Sequence, residues 1–321
     1  MTLKPQMRAI GYETAGGPDV LKLIEVDVPT PGPAEVLVRV HAAGVNPIDC
    51  KSRSRGSMIS GPAARPGEPL VPGFDVSGVV AAVGLGVTRF APGDEVFGMP
   101  RFPFPAGAYA EYVTAPARHF ARKPANLDHI HAAALPLAAL TAWQALVDTA
   151  DVRPGQRVLI HAAAGGVGHL AVQIAKARGA HVIGTARKLN HDFLRDLGAD
   201  EVIDYTDVDF AEVLRDLDVV LDPVAGDYSH RSLRVLRPGG TLVSILPVGE
   251  DVTAAAAQRG VRAGFLLVEP DHAGLAAVAE LVAAGTLRPH VEATFPLTDA
   301  AEAHQRSEAG HTRGKLVLAV A

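Results

Sequence analysis

Two kinds of apolar pattern alternate through the middle of the chain, between Arg157 and Ser244. Short continuous runs predict buried strands over Arg157–His161 and His181–Thr185, and a periodic run predicts a helix over Leu170–Lys176, ended by Gly179. The same alternation continues with a helix near 190–197 and strands near 202–203, 218–221 and 240–244. Strands that alternate with helices predict an α/β fold with a doubly wound parallel sheet.

The first hundred residues have a different pattern, rich in valine, glycine and proline. Alternating runs at Val36–Val40 and Gly78–Val83 predict strands of a small β domain. Pro-Gly turns separate such runs, and the proline-rich stretch from Ser60 to Pro72 is predicted to be a loop that forms a wall of a site.

The pattern changes again at the C-terminal end. From about residue 270 the chain predicts a helix, an extended run at Val291–Phe295 and a last strand over Lys315–Leu318. A further helix is predicted to begin at Asp299, because Glu302 follows three residues later as in a capping box.

A glycine-rich turn, Ala162–Gly168, joins the predicted strand at 157–161 to the helix that follows it. Glycine lets the backbone turn tightly and approach an anion, and the helix N-terminus adds free N–H groups and a positive dipole end. A strand, a glycine turn and a helix predict a dinucleotide site, although Ala163 stands where the generic fingerprint has glycine. The turn residues predicted to bind the cofactor are Ala164, Gly165, Gly166, Val167 and Gly168.

The end of the second strand of this unit indicates which dinucleotide binds. An acidic residue there selects NAD, because it bonds the adenosine ribose and repels a 2′-phosphate. This chain has no acid at that point and instead has Thr185, Arg187 and Lys188. A hydroxyl and two cations favour a phosphate dianion, so NADPH is the predicted cofactor. The alternative is that Arg187 and Lys188 only form the solvated start of a helix.

Composition limits the class of protein. A chain of 321 residues predicts about two domains. No run of about 18 apolar residues and no signal-peptide pattern occurs, so we expect a cytoplasmic protein with no membrane partner. The net charge is −5, and the charged residues form no basic stripe that would bind nucleic acid. The single cysteine, Cys50, excludes an internal disulfide.

Five segments together resemble one family. These segments are 71–80 (VPGFDVSGVV), 107–113 (GAYAEYV), 135–143 (LPLAALTAW), the glycine turn, and 313–318 (RGKLVL). Their order and spacing resemble the quinone oxidoreductase branch of the medium-chain dehydrogenase/reductase superfamily over essentially the whole chain. The resemblance implies a GroES-like β-barrel domain at 1–126 and 270–321, with a Rossmann NADP-binding domain inserted at 127–269. It also implies an active site in the cleft between them and a homodimer.

The resemblance assigns roles to further residues. Lys188 and Tyr205 stand where similar NADPH-dependent quinone reductases bind the 2′-phosphate. Thr141 lies in a segment that approaches the nicotinamide in similar enzymes, or it only packs in an alanine-rich helix. Arg313 and Lys315 are expected to hold the cofactor phosphates, or they are exposed charges at a strand end.

Zinc-dependent relatives carry a cysteine and a Gly-His-Glu run as catalytic ligands. At the corresponding positions this chain has Asn46 and Phe74. These residues cannot form a tetrahedral nitrogen and sulfur site, so no metal is predicted. Without a Lewis acid to activate an alcohol, reduction of an electron-poor acceptor becomes the favoured chemistry.

The predicted reaction is transfer of a hydride from NADPH to a quinone or an α,β-unsaturated carbonyl. Asn46 is a candidate donor to a developing oxyanion or to the cofactor ribose, or else a turn residue before Pro47. Asp49 could orient a water or hydroxyl, or it has a structural role. Similar reductases often have tyrosine at the position of Lys51, and this departure leaves the proton donor open.

Two other functions stay open at this point. One is a dedicated enoyl or enone reductase of a biosynthetic pathway. The other is an NADPH-binding structural or regulatory protein with little catalysis.

Overall fold

The computed structural model describes residues 5–55 and 69–320. These residues form two compact units. Unit 1 contains residues 5–55, 69–137, 269–284 and 289–320, and unit 2 contains residues 138–268 and 285–288. Each unit is built around its own sheet.

The strands are β1 (Gln6–Gly11), β2 (Lys22–Asp27), β3 (Glu35–Val45), β4 (Asp75–Val83), β5 (Glu95–Gly98), β6 (Tyr112–Pro116), β7 (Phe120–Arg122), β8 (Arg157–Ile160), β9 (His181–Thr185), β10 (Glu201–Ile203), β11 (Leu217–Asp222), β12 (Leu236–Ser244), β13 (Arg262–Phe265), β14 (Val291–Pro296) and β15 (Lys315–Ala319). The α-helices are α1 (Pro47–Arg55), α2 (His129–Ala133), α3 (Pro136–Trp143), α4 (Gly168–Ala177), α5 (His191–Asp196), α6 (Phe210–Val213), α7 (Asp227–Val235), α8 (Glu250–Gln258), α9 (His272–Ala283) and α10 (Ala300–Glu308). A π-helical stretch, Gln144–Thr149, continues α3.

Unit 1 contains a sheet in the order β14-β15-β3-β4-β5-β7, with β6 paired to β3 and a separate β1-β2 ribbon. The long strand β3 follows the predicted alternation in part, since Val36, Val38 and Val40 are buried and Arg39 is exposed. Leu37 is buried as well, so part of β3 is covered on both faces. The last strand β15 pairs antiparallel with β3. The C-terminal segment therefore completes the sheet begun near the N-terminus.

Unit 2 contains a parallel sheet in the order β10-β9-β8-β11-β12-β13. If β8 is counted as the first strand, this is the 3-2-1-4-5-6 order of the Rossmann fold. This strand order confirms the predicted Rossmann sheet. The order reverses between β8 and β11, and ligands bind outside the carboxyl ends of the strands at such a point.

The first helix after residue 127 packs in unit 1. Its Ala133 lies in a small apolar cluster with Ala134, with Ala42 of β3 and with Val317 of β15. The compact units divide after residue 137, whereas the predicted domains divide at 126/127. The alanine-rich composition that prompted the prediction begins before the chain leaves unit 1.

The predicted loop lies mostly outside the described residues. The predicted loop between Ser60 and Pro72 falls outside the described residues as far as position 68, and Leu70 forms an isolated bridge with Tyr12. In the described ranges, no helix has both the length and the apolar character needed to cross a membrane.

Candidate active site

The glycine turn lies between β8 and α4, as predicted from the sequence. A Cβ atom on Gly168 would lie 2.4 Å from the carbonyl oxygen of Ala162, so no larger residue fits there. Ala162 itself has a positive φ of 45°, in the left-handed region where alanine is strained. The backbone is thus held in a tight turn at the N-terminus of a ten-residue helix, which suits an anionic group.

The atypical Ala163 fits because of a glycine on the neighbouring strand. A Cβ atom on Gly184 of β9 would lie 2.9 Å from the Cβ of Ala163. The N–H of Ala163 also donates to the carbonyl of Thr185 at 3.0 Å. Because Gly184 has no side chain, it leaves the space for Ala163 that a glycine at position 163 would not need.

Two of the predicted phosphate-binding side chains meet at the ends of β9 and β10. The Nε of Arg187 donates to the hydroxyl of Tyr205 at 3.1 Å, and both side chains are exposed. The N–H of the neighbouring Lys188 donates to Oδ2 of Asp204 at 2.8 Å. Asp204 also accepts from the N–H of Thr206, so its carboxylate links the loop after β9 to the loop after β10. Arg187, Lys188 and Tyr205 are the side chains here that can receive a phosphate.

Thr185 lies away from those three side chains. It is 1% exposed, and its Oγ1 lies 3.2 Å from Nδ1 of His161, whose Nε2 lies 3.0 Å from the hydroxyl of Ser232. Burial lowers the pKa of His161 to about 4, so this ring is neutral near pH 7. The hydroxyl of Thr185 is directed to His161 in the interior of unit 2.

In unit 1, Asn46 and Asp49 form the start of α1. The N–H of Asn46 donates to Oδ2 of Asp49 at 2.8 Å, and the N–H of Asp49 donates to the carbonyl of Asn46 at 3.0 Å. Pro47 occupies the first helical position, where its missing N–H costs nothing. The Asn-Pro-Ile-Asp sequence is thus a helix start in which the side chain of Asp49 reaches back to the cap residue.

Asn46 belongs to a buried network with a lysine and an aspartate. The Nζ of Lys315 donates to Oδ1 of Asn46 and lies 3.3 Å from Oδ2 of Asp75. The amide Nδ2 of Asn46 donates to the same Asp75 oxygen at 2.8 Å, while Oδ1 of Asp75 accepts from the N–H of Leu137 at 2.7 Å. Lys315 is 3% exposed and Asp75 is fully buried. The sequence predicts Lys315 as a phosphate ligand, but the structure places its ammonium in this network.

Neither of the positions at which zinc-dependent relatives carry a ligand offers a free ligand in this chain. The amide oxygen of Asn46 accepts from Lys315, and the ring of Phe74 packs edge-on against Phe102 with centroids 5.1 Å apart. Over residues 5–55 and 69–320, no group of three histidine, cysteine, aspartate or glutamate side chains could hold a metal ion.

Asp49 lines a small cavity of about 30 Å³ in unit 1, which we call the Asp49 cavity. Its other walls include Tyr12, Ser52, Phe74 and Pro105. Asp49 is fully buried, and this burial raises the pKa of its carboxyl group to about 7. A carboxyl group in this environment can carry a proton near neutral pH.

Tyr109 and Gly73 fit against each other beside this cavity. A Cβ atom on Gly73 would lie 2.4 Å from the ring of Tyr109, and Gly73 has a positive φ of 101°. The hydroxyl of Tyr109 donates to Oδ2 of Asp49 at 3.3 Å. Gly73 therefore allows the ring to lie where its hydroxyl reaches Asp49.

Thr141 and Arg313 are the remaining predicted cofactor-binding residues. Thr141 is 3% exposed in α3, within unit 2. In unit 1, the Nε of Arg313 lies 3.3 Å from Nε2 of His290.

Sequence reasoning did not select Asp75, Tyr109 or His304 as site residues. Asp75 and Tyr109 lie inside two of the family-like segments, so their position was available as a signal. His304 lies on α10, and nothing local in the sequence indicates that it contacts Tyr109.

Two family descriptions match the chain. Residues 32–125 match the alcohol dehydrogenase GroES-like domain, and residues 197–318 match the zinc-binding dehydrogenase family. The second description refers to zinc, whereas Asn46 and Phe74 stand at the two predicted ligand positions here.

Several curated proteins are similar over most of their length. NAD(P)H oxidoreductase RTN4IP1, mitochondrial, of Mus musculus is 38% identical, and the alignment covers 90% of this chain and 82% of that protein. A 2-haloacrylate reductase of Burkholderia sp is 36% identical, with 94% and 96% covered. The quinone oxidoreductase of Sus scrofa is 34% identical, with 97% of each chain covered.

Solved structures agree with these relatives. The quinone oxidoreductase from Coxiella burnetii superposes with a TM-score of 0.90 at 40% identity, covering 98% of this chain and all of that one. A mycobacterial protein complexed with NADPH superposes with a TM-score of 0.84 at 32% identity, again covering 98% of this chain and all of that one.

Proposed function

Since this chain belongs to the quinone oxidoreductase branch of the medium-chain dehydrogenase/reductase superfamily, we propose that it reduces quinones or α,β-unsaturated carbonyls with NADPH and without a metal ion. The observation that carries the proposal is the network of Asn46, Asp75 and Lys315. Asn46 stands at a position where zinc-dependent relatives carry a ligand, and its amide oxygen already accepts from the ammonium of Lys315. The hydrogen-bond donors of this network suit an acceptor that is reduced without a Lewis acid.

The chain is an NAD(P)H-type oxidoreductase, and the preference for NADPH is our proposal. The glycine turn fits a dinucleotide, because Gly168 has no room for a Cβ atom and α4 begins at the turn. We propose that residues 164–168 hold the phosphates and that Arg187, Lys188 and Tyr205 hold the 2′-phosphate. The bound cofactor would supply a hydride to the acceptor.

Roles for the remaining predicted residues follow from their placement. We propose that Asn46, whose amide keeps one N–H beyond its bond to Asp75, donates to the acceptor or to the cofactor ribose. Asp49 is fully buried beside a small cavity, and its catalytic role stays a prediction. The cofactor contacts of Thr141, Thr185, Arg313 and Lys315 stay predictions. An Asn46→Ala variant with unchanged kcat and KM would remove Asn46 from the mechanism.

Two alternatives are open, and one of them has a specific ground. A relative described as a 2-haloacrylate reductase favours a dedicated reductase of one unsaturated compound. The second alternative is an NADPH-binding protein with little catalysis.

A panel of acceptors tests the proposal. NADPH oxidation would be followed at saturating cofactor with a simple quinone, an enone, an enoyl thioester and 2-chloroacrylate. We expect turnover of the quinone or enone. Turnover confined to the thioester or the haloacrylate would support a dedicated reductase, and NADPH binding with no turnover would support the non-catalytic alternative.

Assembly and location have separate tests. A homodimer through the edge of the unit 2 sheet stays our proposal, supported by Phe265 on the edge strand β13 and by the nearby Leu267, which are 44% and 54% exposed. A sizing-column mass equal to one chain would contradict it. The cytoplasmic location stays a prediction, and one relative is described as mitochondrial.

A further inference from the structure

The carboxylate of Asp204 connects the two loops that carry the proposed 2′-phosphate ligands. Its Oδ2 accepts from the N–H of Lys188 at 2.8 Å, in the loop after β9. Its Oδ1 accepts from the N–H and from the hydroxyl of Thr206, at 2.9 and 2.7 Å, in the loop after β10. All of these residues lie in unit 2, so this arrangement depends on one compact unit alone.

These hydrogen bonds bring two side chains together. Arg187 directly precedes Lys188, and Tyr205 lies between Asp204 and Thr206, as the middle residue of an Asx turn. Because one carboxylate binds both loops, Arg187 and Tyr205 are held within hydrogen-bond reach of each other, at 3.1 Å.

The contact between Arg187 and Tyr205 leaves further donors for a ligand. The hydroxyl oxygen of Tyr205 accepts from Nε of Arg187, so the proton of that hydroxyl remains available for another acceptor. The guanidinium group carries additional N–H groups on Nη1 and Nη2. Both side chains are exposed, as is Lys188. A phosphate dianion, which only accepts hydrogen bonds, matches these donors in chemistry and charge.

Asp204 is ionised near neutral pH. Hydrogen bonds from the hydroxyl and the N–H of Thr206, and a weaker influence from the N–H of Lys188, hold the pKa of its carboxyl group below the usual value. The negative charge of Asp204 therefore lies close to the place where the 2′-phosphate is proposed to bind.

This charge has two opposite effects on a bound phosphate. Repulsion between exposed like charges weakens binding by up to about fivefold. As the acceptor that holds both loops, the carboxylate favours binding, and a hydrogen bond to an ionised group contributes about tenfold or more. The second effect is the larger one, so the presence of Asp204 should strengthen the binding of the 2′-phosphate.

We propose that Asp204 is a positioning residue that determines the preference for a 2′-phosphate, by holding Arg187 and Lys188 next to Tyr205. The proposal rests on the NADPH preference proposed above. Asp204 does not bind the phosphate itself, because a carboxylate and a phosphate dianion are both acceptors. Its removal therefore weakens phosphate binding even though a like charge is lost.

Binding of adenosine 2′,5′-bisphosphate and of 5′-AMP to the full chain tests this role. The two nucleotides differ only in the 2′-phosphate, and neither requires turnover of an acceptor. We expect the parent to bind the bisphosphate about tenfold or more tightly than 5′-AMP.

Two variants separate the charge of Asp204 from its position. Asp204→Asn removes the charge and sets an amide N–H₂ group against a backbone N–H, whereas Asp204→Glu keeps the charge and displaces the carboxylate. We expect each variant to raise the Kd of the bisphosphate about tenfold and to leave the Kd of 5′-AMP within about twofold.

Asp207→Asn is the matched control, because it removes a negative charge from the same loop. Oδ1 of Asp207 lies 3.5 Å from the hydroxyl of Thr206, which already donates to Asp204 at 2.7 Å. The control should leave the Kd of the bisphosphate unchanged or lower it slightly.

A double variant tests whether Asp204 acts through Arg187. In Asp204→Asn combined with Arg187→Ser, the loss of bisphosphate affinity should be well below the product of the two single losses. A loss equal to that product would show that the two residues act independently, which overturns the proposal.

The possible failures can be told apart. Tighter binding of the bisphosphate in Asp204→Asn would show that Asp204 only repels the phosphate, and unchanged binding in Asp204→Glu would show that its position is unimportant. Equal losses for both nucleotides would indicate a general role in loop structure. Each of these results overturns the proposal and leaves the NADPH preference standing. A parent that binds both nucleotides equally contradicts the NADPH preference, and the proposal falls with it.

Discussion

The ammonium group of Lys315 donates to the side-chain oxygen of Asn46, a residue 269 positions earlier in the chain. Both side chains are buried, and Asp75 supplies the opposing charge at 3.3 Å from the same ammonium. The strand β15 makes this possible, because it pairs with β3, whose last residue precedes Asn46. Segments of unit 1 that are far apart in sequence are therefore joined through buried polar groups.

We expect Lys315→Met to lower the free energy of unfolding by about 3 kcal/mol, because it leaves the charge of Asp75 buried without its partner. The double variant Lys315→Met with Asp75→Asn should regain part of that loss, since it removes both charges. Denaturant unfolding measures both. Lys22→Met, at an exposed position of β2, is the control and should change stability by less than about 0.5 kcal/mol. Equal losses in the single and double variants would contradict the ion-pair explanation.

Cofactor preference depends on Arg187. We expect Arg187→Ser to raise the Kd of NADPH about tenfold or more and to leave the Kd of NADH within about twofold, because only NADPH carries the 2′-phosphate. Binding titrations of both cofactors measure this difference. Arg195→Ser removes another exposed arginine, on α5, and should change neither Kd. A similar loss for both cofactors would show that Arg187 is not a 2′-phosphate ligand.

The contact between Ala163 and Gly184 predicts a paired effect. We expect Gly184→Ala to destabilise unit 2 by about 1–3 kcal/mol and to weaken the binding of both cofactors, since the new Cβ would lie 2.9 Å from that of Ala163. Adding Ala163→Gly should recover much of the loss. Thermal unfolding and cofactor titrations are the measurements. Gly264→Ala is the control, because a Cβ on Gly264 of β13 has open space around it. A single variant as stable as the parent would contradict the close contact.

Acid should destabilise the fold partly through His119. The N–H of Arg101 donates to its Nδ1 at 2.9 Å, and burial, with repulsion from Arg118 and Arg101, lowers its pKa to about 4. As the pH falls from 6.5 to about 4, the unfolded chain therefore binds a proton that the folded chain does not, and stability falls.

His119→Asn keeps an acceptor for the N–H of Arg101 and cannot take up that proton. We expect it to lose about 1 kcal/mol less than the parent over this interval, a value reduced for partial exposure. Asp49 acts with the opposite sign, because its raised pKa makes the folded chain bind a proton first as the pH falls from about 7. Parallel stability curves for parent and variant would contradict the role of His119.

Elements with strong local patterns could be predicted from the sequence. The strands at 157–160 and 181–185, the helix that follows the glycine turn and the last strand all lie where the apolar pattern predicts them. Family resemblance added the arrangement of the two folds. The sequence analysis does not predict the helix α1 and gives a turn before Pro47 only as one alternative for Asn46, although Asp49 at the third helical position is a capping signal.

The partners of the site residues were harder to predict. Asn46 and Asp49 are near each other in sequence and could be proposed together, but the contacts of Asn46 with Lys315 and of Tyr109 with His304 depend on how β15 and α10 pack in unit 1. Likewise Thr185 ends the predicted strand, yet the direction of its hydroxyl depends on His161 of the adjacent strand end. Such contacts are set by tertiary packing, which local periodicity does not encode.

The fit between Gly73 and the ring of Tyr109 has an evolutionary consequence. Any side chain at position 73 would meet the aromatic ring, so an ancestor could have exchanged this glycine only after position 109 had become smaller. We therefore expect these two positions to covary among descendants of this lineage, with an aromatic residue at 109 only where 73 is glycine.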